Sequence, residues 1–192
     1  AEQQSNTWFA AKAMLSRKEI SVAVFISLAI SSTLDLLVIF LPLLGKERAI
    51  EPAVIGLIIS LRAIGSMGSR LMLGKVTEKI NDRKLLLVST SISMFTCIGL
   101  VYTSNSIILG ILVFVAGFSS GFGQPLTMAL ISFRTKADER ALAVSARLTG
   151  NRLGQFLLPV FAGIVANGAG VGAVFWSMAA LLGVSLVASA TE

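Results

Sequence analysis

Five ionisable side chains sit inside stretches that are otherwise apolar: Asp35, Arg62, Arg70, Arg147 and Arg152. Three amides accompany them, Gln124, Asn151 and Gln155. An acid among arginines can hold or release a proton, and an arginine freed from its acid can take an anion through its planar fork of N–H donors. The stretch "ARLTGNRLGQFLLP", residues 146–159, concentrates these groups, because Arg147, Asn151 and Gln155 recur every four residues and so stack along one helix face, with Arg152 beside them. Two readings stand for Asn151 and Gln155, hydrogen bonding between helices and the lining of a polar pathway. Metal chemistry and His-based acid-base catalysis have nothing to work with, since the chain has no histidine and a single cysteine, Cys97. No cofactor is called for, and with one intramembrane acid an enzyme is a poor reading.

The elements that must carry these groups are membrane spans. Of 192 residues, 55% are hydrophobic and 14% charged, against about 25% charged in a soluble domain. The mean hydropathy is +0.84. Six runs meet the length of about 20 apolar residues needed to cross a bilayer, roughly 20–44, 53–73, 85–103, 106–132, 140–166 and 171–189. Their ends carry helix punctuation: Gly45 after the first run, Pro52 opening the second, Asn105 placed to cap the fourth and Asp138 the fifth. Residues 1–19, with Trp8, Phe9 and the Lys12, Arg17, Lys18 cluster, read as a cytoplasmic linker or interfacial segment, and 20–192 as a six-helix transmembrane domain. The first residue is Ala rather than Met, which fits a processed chain or a piece of a longer one.

The net charge of +6 does not point to nucleic acid, because the basic residues lie in alternating loops rather than on one polar face. Lys12, Arg17, Lys18, Lys75, Lys79, Arg83, Lys84, Arg134, Lys136 and Arg140 fall on one side of the bilayer, while Lys46 and Arg48 fall on the other. The richer side is expected to be cytoplasmic, which places both termini there.

Depth sorts the buried charges. Asp35 and Arg62 each lie nine residues from the outer end of their runs, roughly 13 Å at 1.5 Å per residue, so they can meet on neighbouring antiparallel helices. Such a pair is either a structural ion pair or a site opened by protonating Asp35 or by an anion on Arg62. Arg70, one turn from the inner end, is explained by snorkelling to the headgroups. In "GFSSGFGQPLTM", residues 117–128, Gly117, Gly121 and Gly123 precede Gln124 and Pro125, so a bend is expected, with either flexibility or close helix packing as its purpose. Pro159 frees a carbonyl in the fifth run, where Gly150, Gly154 and Gly163 allow close approach. Arg62-x-x-Gly65-Ser66 and Arg147-x-x-Gly150-Asn151 echo each other three spans apart, as inverted three-helix repeats would.

Two segments carry a family resemblance. "GKVTEKINDRK", residues 74–84, resembles the loop motif GxxxDRxGRR of the major facilitator superfamily, with Gly74 in the glycine place, Glu78 for the acid, Lys79 for the following base, and Arg83 and Lys84 closing it. Asn81 stands where the second glycine belongs and is expected to tolerate the left-handed conformation that glycine supplies. "GQPLTMALISFRTKADERALAVSARLTGNRLGQFLLPVFAGIVA", residues 123–166, is similar to the fourth and fifth helices of the C-terminal half of many bacterial members. The resemblance implies one six-helix half, itself 3+3 inverted repeats, of a twelve-helix secondary transporter in a bacterial inner membrane. Its partners would be the lipid bilayer, a missing N-terminal half or a second copy, and a small-molecule substrate. It further implies alternating access, proton coupling, and a cytoplasmic latch at Glu78 and its basic neighbours. A non-transporting membrane scaffold and a dimerising half-transporter are the other readings; substrate and direction of transport stay open.

Overall fold

The computed structural model describes residues 17–137 and 139–190, and every described element is helical. The helices are α1 (Lys18–Glu47), α2 (Pro52–Thr77), α3 (Asp82–Tyr102), α4 (Ser106–Gly121), α5 (Gly123–Arg134), α6 (Arg140–Ala169) and α7 (Val171–Ala190). The chain is an all-helical membrane protein: five helical stretches, with α4 and α5 counted as one, are long and apolar enough to cross a bilayer. The expected fifth span, α6, has ample length at 30 residues but is not among the five. Arg147, Asn151, Arg152 and Gln155 dilute its apolar character.

Sequence punctuation set several boundaries. Pro52 opens α2, where its missing N–H costs nothing. The Asn105 side chain accepts from the backbone N–H groups of Ile107 and Ile108 and so caps α4. Asp138 lies outside the described residues; α6 begins after Glu139, whose side chain makes no capping bond. Gly45 does not end α1. The helix runs on to Glu47, and the left-handed residue of the turn is Ala49, with φ 54°, while Ile50 N–H closes onto the Gly45 carbonyl at 2.9 Å. Of the expected linker, residues 1–16 lie outside the described residues.

α1 runs through the centre, touching α2, α4, α5, α6 and α7. Its Leu37, Leu41 and Leu44 are fully enclosed, together with Phe175, Met178 and Leu182 of α7, Leu86 and Leu100 of α3 and Leu109 of α4. In lipid this contact gains little from the hydrophobic effect, so dispersion and close approach must hold the helices together. The closest crossing is α2 on α4. A Cβ at Gly65 would stand 2.6 Å from the Phe114 carbonyl oxygen, and one at Gly117 would collide with the Arg62 carbonyl. Gly117 and Gly121 therefore serve packing in this arrangement. Gly150 and Gly154 face Val24, Leu28 and Ser32 of α1 in the same way, whereas Gly163 meets nothing.

Buried hydroxyls mostly satisfy themselves within their helices, as Thr90 does on the Leu86 carbonyl at 2.7 Å. Ser93 and Ser119 bond across α3 and α4 at 2.7 Å. Two arginines reach helix C-termini, where the carbonyls lack partners and the helix dipole favours a cation. Arg48 donates to the carbonyls of Val101 and Thr103 at the end of α3, and Arg83 donates to the Ser189 carbonyl at the end of α7 at 3.0 Å. Arg17, just before α1, makes a two-pronged bond to Glu139, just before α6, at 2.7 and 2.9 Å.

Candidate functional site

Asp35 is the residue around which the polar groups collect. It ends a polar stripe of α1 in which Ser27, Ser31 and Asp35 are spaced by four residues and Ser32 lies three before Asp35, so these share one side of the helix. Gln155 and Arg152 of α6 and Arg62 of α2 are its polar and charged neighbours. No ion pair within 4 Å joins Asp35 to either arginine, so the expected Asp35–Arg62 pair is an electrostatic neighbourhood rather than a closed bridge. Arg152 donates to Gln155 Oε1 at 2.9 Å, which sets the two side chains together on the flank of α6 nearest Asp35. Asp35 Oδ2 and Arg62 Nε are buried and have no hydrogen-bond partner. Two arginines, one on α2 and one on α6, thus share the electrostatic neighbourhood of one carboxylate.

Packing fixes this geometry. The carbonyl of Arg62 lies against Gly117, which brings the α2 backbone as near α4 as two helices allow. Gly154, one residue before Gln155, lies against Leu28 and Ser32 of α1, so α6 meets α1 close to Asp35.

Arg147 belongs elsewhere. It is 6% exposed, and its Nη2 donates to the Gln124 carbonyl at 3.0 Å and to Thr127 Oγ1 at 3.1 Å, both on α5. The Gln124 side chain in turn donates to Ser31 Oγ at 3.3 Å on α1. Arg147 and Gln124 therefore lock α6, α5 and α1 together, and the stripe Arg147, Asn151, Gln155 does not line a single surface. Asn151, also buried, leaves its Oδ1 without a partner. The bend expected at Gly123–Pro125 is a one-residue interruption at Phe122 between α4 and α5. Pro159 lies inside α6, which continues through it.

In the loop between α2 and α3, Gly74 lies in the last turn of α2 and accepts the Glu78 N–H at 3.2 Å. Asn81 is not left-handed: its φ is −59°, and its side chain accepts the Arg83 N–H at 3.0 Å, capping α3. Glu78, Lys79 and Lys84 are exposed, and Arg83 reaches α7 as described. Thr127, Ser31 and Arg48 were not singled out from the sequence; only the three-and-four spacing of the α1 hydroxyls could have flagged Ser31. Among the described residues no three His, Cys, Asp or Glu side chains gather as metal ligands would.

This helical membrane architecture, with one acid and two arginines as electrostatic neighbours, has a match among known families. The model of the Major Facilitator Superfamily matches residues 20–191. The chain belongs to that superfamily. Over 130 residues it is 29% identical to the 3-(3-hydroxy-phenyl)propionate transporter of Escherichia coli (strain K12), a stretch covering 67% of this chain and 32% of that protein. Residues 74–84 and 123–166, which carry the motif resemblances, lie within the superfamily match. The matched stretch spans about a third of that transporter's length.

Proposed function

We propose that this chain is the C-terminal six-helix half of a secondary transporter that moves a small organic anion by alternating access, with Asp35 carrying the coupled proton. The observation that carries this reading is the convergence of Arg62 and Arg152 on Asp35, with no bridge closed. With Arg147 fastened to α5, the deep charges near the site are two arginines against one acid, an excess of one positive charge that favours an anion. While Asp35 is ionised it competes with the anion for Arg62 and Arg152. Once protonated it releases both, so proton and anion bind together, which is the condition for symport.

The contact pattern supports 3+3 inverted repeats. Exchanging α1 with α4–α5, α2 with α6 and α3 with α7 carries the α1–α6 crossing onto α2–α4 and the α1–α7 contact onto α3–α4, and both crossings are lined by glycine. The outward faces of α2 and α6 expose Leu57, Ile64 and Met67, and Phe156, Val160 and Ile164, apolar surface suited to lipid and to a missing N-terminal half. The relative's name supplies the substrate class, an arylpropionate: a carboxylate for the arginines and an apolar ring. The basic loops orient both termini to the cytoplasm of a bacterial inner membrane, and the exposed Glu78, Lys79 and Lys84 form a latch at that surface. Flexibility at Phe122, beside Gly121, Gly123 and Pro125, supplies the motion.

The test is uptake of labelled 3-(3-hydroxyphenyl)propionate by vesicles holding the full-length protein, with and without an imposed proton gradient. Accumulation driven by the gradient supports the reading. Equal uptake in vesicles lacking the protein overturns it.

A further inference from the structure

Arg70 stands two turns beyond Arg62 on the same face of α2, with Ser66 midway. The three residues, with Ala63, Met67 and Leu71, line an open groove of about 380 Å³. Among the described residues no carboxylate lies within 4 Å of either guanidinium. Each cation has its own solvent-facing approach: Arg70 is exposed, Arg62 half-buried, and the charge of Arg70 is felt at Arg62. Snorkelling accounts for a lone arginine near a helix end. It does not account for a second cation facing the groove of Arg62, where Arg62 already divides the single acid Asp35 with Arg152, so that Arg70 adds a positive charge for which an anion in the groove would compensate.

We propose that Arg70, Ser66 and Arg62 form an anion-conducting groove on α2, in which Arg70 is a second binding position toward the inner end of the helix that takes a small carboxylate from Arg62 one turn at a time. The inference rests on the organic-anion reading of the Asp35 site and adds a waiting position to it. Arg62 and Arg70 are separated by a rise of about 12 Å, too far for one carboxylate to bridge, and the Ser66 hydroxyl divides that distance into two steps of about 6 Å. Met67 and Leu71, both exposed, flank the groove and suit the apolar body of the anion. The phosphate of a lipid headgroup has the same chemistry as the carboxylate at Arg70, so the experiment separates the two.

Full-length protein in a cysteine-free background carries Ser66→Cys, and the rates of thiol modification by anionic sulfonatoethyl and cationic trimethylammonioethyl methanethiosulfonate are compared in vesicles. Relative to a free thiol, the anionic reagent is expected to be favoured about tenfold. Arg70→Gln should remove most of that preference while Arg62 remains, and the preference should be equal in phosphatidylcholine and phosphatidylglycerol vesicles. In an Arg62→Gln background, 3-(3-hydroxyphenyl)propionate should still slow modification as long as Arg70 is present. No anionic preference, or a preference untouched by Arg70→Gln, overturns the groove. A preference abolished by phosphatidylglycerol assigns Arg70 to headgroups and overturns it as well. Anionic preference without protection by the aromatic acid upholds the groove and counts against the substrate class instead.

Discussion

Arg147 and Gln124 are joined by a hydrogen bond of 3.0 Å from guanidinium to main-chain carbonyl, two residues past the interruption at Phe122. A cation placed to look like part of a pathway is thereby a fastener between α6 and α5. Thr127 shares the task by accepting from the same Nη2 at 3.1 Å. Thr127→Val keeps the shape but removes that acceptor, and a buried donor left short of a partner costs about 1–3 kcal/mol. Thermal melting of the full-length protein in detergent should fall accordingly, while substrate affinity stays unchanged. A large loss of affinity at unchanged melting temperature would return Arg147 to the binding site.

Close packing of α2 on α4 predicts a contrast between glycines. Gly117→Ala drives a methyl group into the Arg62 carbonyl, and since backbone cannot yield as a side chain does, overpacking should cost about 1–3 kcal/mol or more. Gly163→Ala meets open space and should leave stability unchanged or slightly raised. Equal melting temperatures for the two variants would mean that the α2–α4 crossing is looser than described.

Asn81 supplies a third check. As a cap with φ −59° it uses only its side-chain oxygen, which a carboxylate also offers, so Asn81→Asp is expected to be neutral, Asn81→Gly to cost a few tenths and Asn81→Ala about 1 kcal/mol. If glycine instead raises stability, the position needs left-handed backbone as the family motif suggests.

How far the sequence reached is visible in these same residues. Five of the six expected spans, the Pro52 start and the Asn105 cap follow from local rules, in which a residue's type and its immediate neighbours decide the outcome. Asn81 failed because a motif alignment says which residue replaces glycine but not which conformation it adopts. The Arg147–Asn151–Gln155 stripe divides between two neighbours for a geometric reason. Each four-residue step advances about 40° around a helix of 3.6 residues per turn, so across two steps the stripe turns from α5 toward Asp35. Spacing reveals a shared face, whereas the neighbour on that face is settled by packing. Gly45 was overridden by the turn that follows it, in which Ala49 takes the left-handed conformation. The nearness of Asp35 and Arg62 was legible because depth in a bilayer is a tertiary coordinate that can be counted along the chain.

Arg152 separates binding from structure most cleanly among the arginines, being exposed and bonded only to Gln155 of its own helix. Arg152→Gln should fold and express normally yet weaken binding of the organic acid about tenfold or more, the worth of a charge-assisted hydrogen bond. Arg152→Lys should recover part of it through retained charge. Equilibrium binding on purified full-length protein reads both, and wild-type affinity in Arg152→Gln would remove Arg152 from the site.

The central claim is that Asp35 carries the proton that couples transport, and Asp35→Asn addresses it directly, because asparagine keeps the size of the side chain and cannot titrate. Vesicles holding the full-length Asp35→Asn protein are loaded with unlabelled 3-(3-hydroxyphenyl)propionate and diluted into the labelled acid, and the same preparation is assayed for accumulation under an imposed proton gradient. Asp35→Asn should exchange the acid across the membrane at a rate comparable to wild type, since Arg62 and Arg152 stand released, and should fail to accumulate it against a concentration difference. Gradient-driven accumulation by Asp35→Asn equal to wild type would contradict the account.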